Sequence, residues 1–391
     1  MLKRASFLKL YIFLICIVHC NLSYSKEKET FVEEGVMLYA NTPCIFNFFN
    51  FQIISAQDTN YSLIPADNKN IRYVGRIDFS DPRKPRFWAS GVYIKAKFKG
   101  RGCKIVINDE ERWGTFHNYL EVVIDGVASR IQTSGKTNTI KVAAGLSEGY
   151  HTILICKDTE SSIGYLEFLG FICEGILPPD PEPERKLEFI GNSITCGVGM
   201  DQSEIKCGAG VWHDQHNAYF AYGPVIARKL NAQWFLSSYS GIGLVHSCCN
   251  INFTMPEVFG NMNFAPEGNS WNFSRYTPDA ITICLGQNDG IQDSLTFCTA
   301  YVSFIKSIRA KYPMAHIICL TSPMGDEKLT SVLKRFLSAI VNNLNEQGDL
   351  KVHKFFFSNS YKNGCDSHPD MEQHQQIASE LEPFLKELMK W

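Results

Sequence analysis

A proline-rich segment divides this chain into two parts with different hydrophobic patterns. Four prolines fall between Leu177 and Lys186, in an otherwise polar and charged run. Proline fixes its own backbone dihedral and lacks an amide hydrogen, so a run of this composition favours a stiff, extended connection over a helix or an inner strand. The sequence therefore predicts two domains on either side of a linker at residues 177–186.

The first part, residues 30–176, shows the apolar–polar alternation that is typical of short, half-buried strands. Between Val92 and Phe98 every second residue is apolar, and the segment from Leu120 to Ile124 repeats the pattern before an Asp-Gly turn. Short strands separated by turn residues indicate an all-β domain. We expect a β-sandwich of the jelly-roll type.

The second part, residues 187–391, alternates short apolar runs with longer segments of helical periodicity. Strands are predicted at 186–190, 234–240, 280–285, 316–321 and 352–357, and helices at 217–230, 293–311, 327–347 and 370–389. This order predicts a flavodoxin-like parallel sheet with helices on both faces. Functional groups of such sheets lie at the carboxyl ends of the strands.

A serine follows the first strand of this predicted sheet. The apolar run that ends at Ile190 is followed directly by Gly191, Asn192 and Ser193. A serine on a strand-to-helix turn has an exposed hydroxyl beside the free N–H groups of a helix start, so it can attack a carbonyl carbon. The alternative is that Ser193 only caps the helix, which is the common role of serine there.

Two other regions carry the groups that a serine nucleophile needs. Asp366 lies two residues before His368 near the carboxyl terminus, a spacing at which the carboxylate can bind Nδ1 and leave Nε2 free as a base. Asn288 follows the strand at 280–285, and Gly241 follows the strand at 234–240. An amide side chain and a glycine N–H at strand ends are suitable oxyanion donors.

The blocks around Ser193, Gly241, Asn288 and His368 resemble, in chain order, the signature blocks of the SGNH (GDSL-like) hydrolase superfamily. Each block has little specificity alone, but four in this order, across the second half of the chain, are a specific pattern. The chain departs from the superfamily at Asn192, where aspartate is common; this changes the charge of the turn but not its geometry.

The combination of both domains resembles carbohydrate esterase family 2. The segments Phe87–Gly91 and Leu120–Gly126 in the first domain, and the motif that begins at Gly191 in the second, carry this resemblance. It implies an esterase that removes O-acetyl groups from xylan- or glucomannan-type carbohydrate, with no cofactor and no metal.

The same resemblance implies roles for individual residues. Ser193 would be the nucleophile and His368 the base, and the oxyanion hole would consist of the N–H groups of Ser193 and Gly241 and the side chain of Asn288. Asp366 would complete the triad, although in some members of the family a backbone carbonyl orients the histidine instead. We expect the full triad, because Asp366 lies so near to His368 in the chain.

Substrate contacts and substrate class are less constrained by the sequence. Trp212 and Trp271 lie in long loops that could cover the site and contact a sugar ring, but an aromatic residue at the edge of the core is the commoner role for tryptophan. Two alternative functions stay open: hydrolysis of lipid or thioester substrates, and binding of glycans without catalysis.

The start of the chain predicts export. Residues 1–25 combine a basic beginning with a short apolar core, which indicates a signal peptide and is too short for a membrane span. Cys20 could instead be the lipid-modified cysteine of a lipoprotein, although His19 fits such a site poorly. The formal net charge of −2 gives no electrostatic reason to expect nucleic acid as a partner.

Fourteen cysteines in an exported chain make disulfides plausible. We expect a bridge between Cys196 and Cys207, which flank the loop after Ser193. The alternative is a metal site formed by Cys207, His213 and His216, although this spacing matches no familiar zinc pattern.

Overall fold

The computed structural model describes residues 61–391 apart from residues 113, 115, 116 and 179. The predicted signal peptide at residues 1–25, Cys20, and the first part of the predicted β-domain, residues 30–60, lie outside the described residues. Among the helices of the described part, none combines the length and the apolar character that crossing a bilayer requires.

The amino-terminal part consists of two six-stranded antiparallel sheets. One sheet has the order β3-β4-β11-β6-β9 with β1 also paired to β11, and the other has the order β12-β5-β10-β7-β8 with β2 also paired to β5. The strands are β1 (Ser62–Pro65), β2 (Arg72–Val74), β3 (Ile77–Asp78), β4 (Arg86–Phe87), β5 (Tyr93–Lys99), β6 (Cys103–Asp109), β7 (Tyr119–Ile124), β8 (Val127–Gln132), β9 (Thr137–Ala143), β10 (Tyr150–Lys157), β11 (Leu166–Cys173) and β12 (Gly175–Leu177).

The inner faces of the two sheets form one apolar core. Phe98 and Ile155 from one sheet lie in the same cluster as Ile107 and Phe168 from the other, and all four are buried. The alternation seen in the sequence arises because successive side chains of a strand point to opposite faces. The predicted β-sandwich is confirmed.

The carboxyl-terminal part is a five-stranded parallel sheet with the order β14-β13-β15-β16-β17. The first strand of this domain, β13, thus lies between the second and the third, as in flavodoxin-like folds, and the predicted parallel sheet is confirmed. The elements are β13 (Arg185–Gly191), α1 (Ser193–Cys196), α2 (Tyr222–Lys229), β14 (Ala232–Ser238), α3 (Met255–Val258), β15 (Ala280–Cys284), α4 (Ser294–Lys311), β16 (His316–Leu320), α5 (Glu327–Glu346), β17 (Val352–Phe355) and α6 (Met371–Met389).

The three long helices begin at aspartate residues. Asp293, Asp326 and Asp370 accept hydrogen bonds from backbone N–H groups in the first turns of α4, α5 and α6, respectively. An aspartate cap satisfies a free donor and places negative charge at the positive end of the helix. Helix α2 starts at Tyr222, later than the predicted 217.

The outer face of the β5-containing sheet packs against the parallel-sheet domain. The Tyr93 ring lies 4.1 Å from the Trp234 ring, centroid to centroid, and the Trp234 Nε1–H donates to the Gly91 carbonyl at 2.9 Å. Tyr93 occupies an outward position of the alternating pattern and is nevertheless buried. The second domain therefore covers a face that the strand pattern alone assigns to solvent.

A buried arginine connects the domains a second time. Arg76, just before β3, donates to the carbonyls of Phe259 and Asn261, both at 2.6 Å. Its guanidinium lies 3.9 Å from the Glu188 carboxylate and 4.2 Å from the centre of the Phe264 ring. A buried guanidinium without partners would cost free energy, so separating the domains at this point is unfavourable. These contacts therefore hold the two domains in one arrangement.

The proline-rich segment is itself bound to the β-sandwich. Lys97 of β5 pairs with Asp180 at 2.8 Å, and Lys95 pairs with Glu182 at 3.3 Å. The extended segment therefore follows the surface of β5 and is not a loose tether.

Candidate active site

Ser193 is the first residue of α1, directly after β13 ends. The helix is capped by Asn192, whose Oδ1 accepts a hydrogen bond from the Ile194 N–H at 3.2 Å. A side chain at Gly191 would collide with Thr195, so only glycine fits this turn. Because Asn192 provides the cap, the Ser193 hydroxyl is not needed for capping and is available for another partner.

That partner is His368, which lies in the loop before α6. Its Nε2 is 2.8 Å from the Ser193 Oγ, and its Nδ1 is 3.1 Å from the backbone carbonyl oxygen of Cys365. A carbonyl oxygen only accepts, so Nδ1 must carry the hydrogen and Nε2 is left as the acceptor. The geometry therefore sets the tautomer in which the imidazole can remove the serine proton.

Asp366 does not orient the imidazole, and the predicted full triad is wrong in this respect. Asp366 has a left-handed backbone with φ 50° and ψ 37°, and its side chain is exposed. The short spacing to His368 in the chain suggested a contact, but this backbone conformation presents the Cys365 carbonyl to Nδ1 instead. The structure thus has a Ser193–His368 pair oriented by the main chain.

Cys365 is held in place by a disulfide bond with Cys207. Its N–H also donates to the Gly199 carbonyl at 2.8 Å, so the histidine loop is tied to the loop that follows α1. The predicted Cys196–Cys207 bridge is therefore wrong. Cys196 lies in α1 as a buried thiol 3.2 Å from the Ser238 Oγ.

The alternative metal site of Cys207, His213 and His216 is also wrong, because Cys207 is bonded to Cys365. Cys207 is consumed in the disulfide, and a bridged sulfur is no longer a thiolate ligand. Among the residues that the structure describes, no group of three or more His, Cys, Asp or Glu side chains is arranged to hold a metal ion. Burial lowers the pKa of both His213 and His216.

Gly241 lies in the loop of residues 239–247 that follows β14, here named the Gly241 loop. Its φ is 79°, a left-handed conformation that favours glycine, and an added Cβ would lie 2.8 Å from the Ile251 side chain. Among the backbone hydrogen bonds that the described residues make outside regular helices and strands, none is donated by the N–H groups of Gly241 or Ser193. Both are thus open to a ligand oxygen.

Asn288 faces the same loop. Its Nδ2 donates one hydrogen to the Ile242 carbonyl at 2.8 Å, which fixes the amide plane and leaves the second hydrogen available. The neighbouring Asp289 is buried, and its carboxylate accepts hydrogen bonds from the N–H groups of Leu244, Val245 and His246 at 2.7–3.1 Å. The Gly241 loop is therefore bound along its second half to the residues around Asn288.

The two tryptophans have different environments. Trp271 is buried and packs against Phe235 in a small apolar cluster, so its predicted contact with substrate is wrong. Its ring centre lies 5.8 Å from the Arg76 guanidinium, a contact between the domains that the sequence pattern could not reveal. Trp212 is 42% exposed, and its ring lies 4.4 Å from the His216 ring, so it is the tryptophan that a ligand can reach.

Two residues of this region were not named from the sequence, although a backbone carbonyl in place of Asp366 was left open as an alternative. The Cys365 carbonyl is a main-chain group, which carries no side-chain signature. Glu160, from the β-sandwich, accepts a hydrogen bond from the Ser240 N–H at 2.6 Å. Its only sequence signal is a polar run directly after the apolar strand β10.

Comparisons with known protein families match both parts of the chain. A family model described as the N-terminal domain of carbohydrate esterase 2 matches residues 73–181. A model described as the GDSL-like lipase/acylhydrolase family matches residues 189–348.

Individual relatives are similar over most of the chain. The "Cellulase/esterase CelE" of Acetivibrio thermocellus is 34% identical over 334 residues, 83% of this chain but only 40% of that longer protein. An "acetylxylan esterase / glucomannan deacetylase" of Cellvibrio japonicus is 26% identical over 347 residues, 84% of this chain and 91% of that protein. A solved structure, a family two carbohydrate esterase from Clostridium thermocellum in complex with cellohexaose, has a TM-score of 0.75 and 33% identity, covering 82% of this chain and 99% of that one.

Proposed function

Since this chain belongs to carbohydrate esterase family 2, a family of carboxylic ester hydrolases, we propose that it removes O-acetyl groups from carbohydrate through an acyl-enzyme on Ser193. The observation that carries this proposal is the 2.8 Å contact between His368 Nε2 and Ser193 Oγ. The acetylxylan esterase and glucomannan deacetylase activity named for the Cellvibrio japonicus relative supports xylan- or glucomannan-type substrates.

In the first half of the reaction, the Ser193 Oγ attacks the acetyl carbonyl carbon while its proton passes to His368 Nε2. The carbonyl oxygen becomes an oxyanion, for which the open N–H groups of Ser193 and Gly241 and the second Nδ2 hydrogen of Asn288 are the donors. When the intermediate collapses, His368 gives the proton to the departing sugar oxygen. The acetyl group is left as an ester on Ser193.

In the second half, water attacks this ester and His368 again takes the proton. Collapse of the second intermediate releases acetate and returns the proton to Ser193. The Cys365 carbonyl accepts the Nδ1 hydrogen throughout, so the ring keeps its orientation during both transfers. A carbonyl dipole stabilises the imidazolium less than a carboxylate would, since it carries no full charge.

The pH dependence should follow His368. Burial lowers the pKa of this imidazole below its ordinary 6.5, and its bond to the Cys365 carbonyl opposes the shift. The base must be neutral to accept the serine proton, so kcat/KM should stay high below pH 6.5 and fall only as the pH drops through the lowered pKa. A profile of kcat/KM against pH with its acid limb above 6.5 would contradict this assignment.

Removing the Asp366 carboxylate should have little effect. Because the Cys365 carbonyl orients the imidazole, Asp366→Ala should keep kcat/KM within a few-fold of the wild type, whereas loss of a triad carboxylate typically costs about 10⁴-fold. The negative charge of Asp366 raises the pKa of His368, so the acid limb should also move slightly to lower pH. Steady-state kinetics across pH measure both effects, and a loss near 10⁴-fold would restore the full triad.

Export is part of the proposal. The Cys207–Cys365 disulfide supports an oxidising compartment, because cytosolic thiols are kept reduced. The basic start and apolar core of residues 1–25 support a signal peptide. The polysaccharide substrates of the relatives also support export, because a polysaccharide is reached by an enzyme outside the cell.

The substrate assignment can be tested by a direct comparison. Purified protein is assayed for acetate release from acetylated xylan and acetylated glucomannan, and for hydrolysis of a long-chain acyl ester, with Ser193→Ala as the matched control. We expect release from an acetylated polysaccharide that disappears in the control. Preference for the long-chain ester would favour a lipid-directed hydrolase, and binding of polysaccharide without release of acetate would favour a silent glycan-binding protein.

A further inference from the structure

We propose that Glu160, a residue of the β-sandwich, is a positioning residue that holds the Gly241 loop and helix α1 in the geometry that catalysis requires. The inference rests on the proposed function, because it concerns the same oxyanion site. It makes the first domain a component of the active site, in addition to any part it has in binding substrate.

A single carboxylate oxygen of Glu160 contacts both the Gly241 loop and helix α1. Its Oε2 accepts a hydrogen bond from the Ser240 N–H at 2.6 Å, and it also lies 3.7 Å from the Cys196 thiol, which donates to it. Ser240 directly precedes Gly241, and Cys196 lies in the short helix that begins at Ser193. Glu160 is therefore hydrogen-bonded to the residue next to one oxyanion donor, and it contacts the last residue of the short helix that begins at the nucleophile.

The position of Glu160 is itself rigid. The residue is 1% exposed, and its other oxygen accepts the Ser162 hydroxyl at 2.8 Å. The buried Lys157 ammonium donates to the carbonyls of Thr159 at 2.7 Å and Glu160 at 3.2 Å, which folds the polar run after β10 around one cation. Burial raises the pKa of Glu160, and its bonds with Ser162 and Ser240 oppose that rise.

The Gly241 loop is thus held by a buried carboxylate at each end. Glu160 binds the N–H of Ser240 at its beginning, and Asp289 binds three N–H groups from Leu244 to His246. Gly241, in its left-handed conformation, lies between the two anchors. If the first anchor is removed, the Gly241 N–H can turn away, and a displacement of about 1 Å at a reacting group can cost about 10²-fold in rate.

Asp158 offers a matched control in the same polar run. It is also a fully buried carboxylate of the β-sandwich, and its Oδ1 accepts a backbone N–H of the other domain, that of Tyr219, at 3.2 Å. Tyr219 lies before α2 and belongs to neither the Gly241 loop nor the serine turn. Asp158→Ala therefore removes an interdomain hydrogen bond of the same kind without touching the catalytic groups.

The test compares Glu160→Ala, Glu160→Gln and Asp158→Ala by kcat and KM on 4-nitrophenyl acetate and on acetylated xylan, with thermal unfolding of each variant. Glu160→Ala should lower kcat about 10- to 100-fold with KM changed by no more than a few-fold. Glu160→Gln should recover most of this loss, because its amide oxygen can still accept the Ser240 N–H. Asp158→Ala should keep kcat within a few-fold even where its unfolding temperature falls.

Three results would overturn the proposal: an unchanged kcat in Glu160→Ala, an equal loss in Asp158→Ala, or no recovery in Glu160→Gln. If Glu160→Ala does not fold, Glu160→Asp, whose carboxylate is one methylene short of Ser240, should show the same loss in kcat. The activated ester separates this inference from the substrate assignment. A wild-type enzyme that hydrolyses 4-nitrophenyl acetate but no carbohydrate acetate would refute the substrate while the Glu160 comparison stays valid.

Discussion

Ser193→Ala should lower kcat by about 10⁶-fold, and His368→Ala should cost nearly as much. The serine hydroxyl is a weak nucleophile without its base, and without the hydroxyl the base has no side-chain nucleophile to activate. Because the two groups act as one unit, the double variant should be little worse than either single variant. Acetate release under substrate saturation measures all three.

Ser358 provides the control for this prediction. It follows β17, is exposed, and donates its hydroxyl to Glu380, so it lies outside the pair formed by Ser193 and His368. Ser358→Ala should retain wild-type kcat. A Ser193→Ala enzyme that kept more than a small fraction of activity would mean that another group attacks the ester.

Asn288→Ala should lower kcat by about 10²- to 10³-fold with little change in KM, which is the usual cost of one oxyanion-hole donor. The amide is oriented by its bond to the Ile242 carbonyl, so its free hydrogen is already placed before charge develops on the substrate. Asn288→Asp should be at least as damaging, because it replaces the donor with a negative charge near the oxyanion.

The split between kcat and KM decides the role of Asn288. An interaction made only in the transition state lowers kcat, whereas one made equally with bound substrate raises KM. A variant with raised KM and unchanged kcat would make Asn288 a substrate-binding residue and would contradict the oxyanion assignment.

Much of the fold could be predicted because its signals are local. The five parallel strands are short apolar runs, the last three are each followed by a long periodic helix, and these three helices begin at aspartate caps. The sandwich strands alternate for the same geometric reason. Tyr93 shows the limit of this reasoning, since its burial depends on Trp234, far away in the chain.

The site was predictable where a residue type and a strand end coincide. Ser193, Gly241 and Asn288 each follow a strand of the parallel sheet, and parallel strands bring their carboxyl ends to one edge. Asp366 was misjudged because nearness in sequence does not give the sign of a backbone dihedral, and its left-handed φ changes which group meets His368.

Long-range contacts explain why the disulfide bond was predicted wrongly and why Glu160 was not named. Cys207 bonds to Cys365, which is 158 residues away, in preference to the nearby Cys196. Glu160 likewise meets Ser240 only because the two domains are packed together. Neither contact has a local sequence pattern, so both depend on how the domains and loops assemble.

Detection of the acyl-enzyme tests the central claim most directly. The wild type is mixed with an excess of acetylated substrate, quenched rapidly in acid and digested, and the peptides are analysed by mass spectrometry, with Ser193→Ala treated in parallel. The mechanism predicts one acetyl group on the peptide that contains Ser193, formed within the first turnover and absent from Ser193→Ala. The mechanism would be contradicted if the acetyl group were found on a different residue and replacement of that residue abolished turnover.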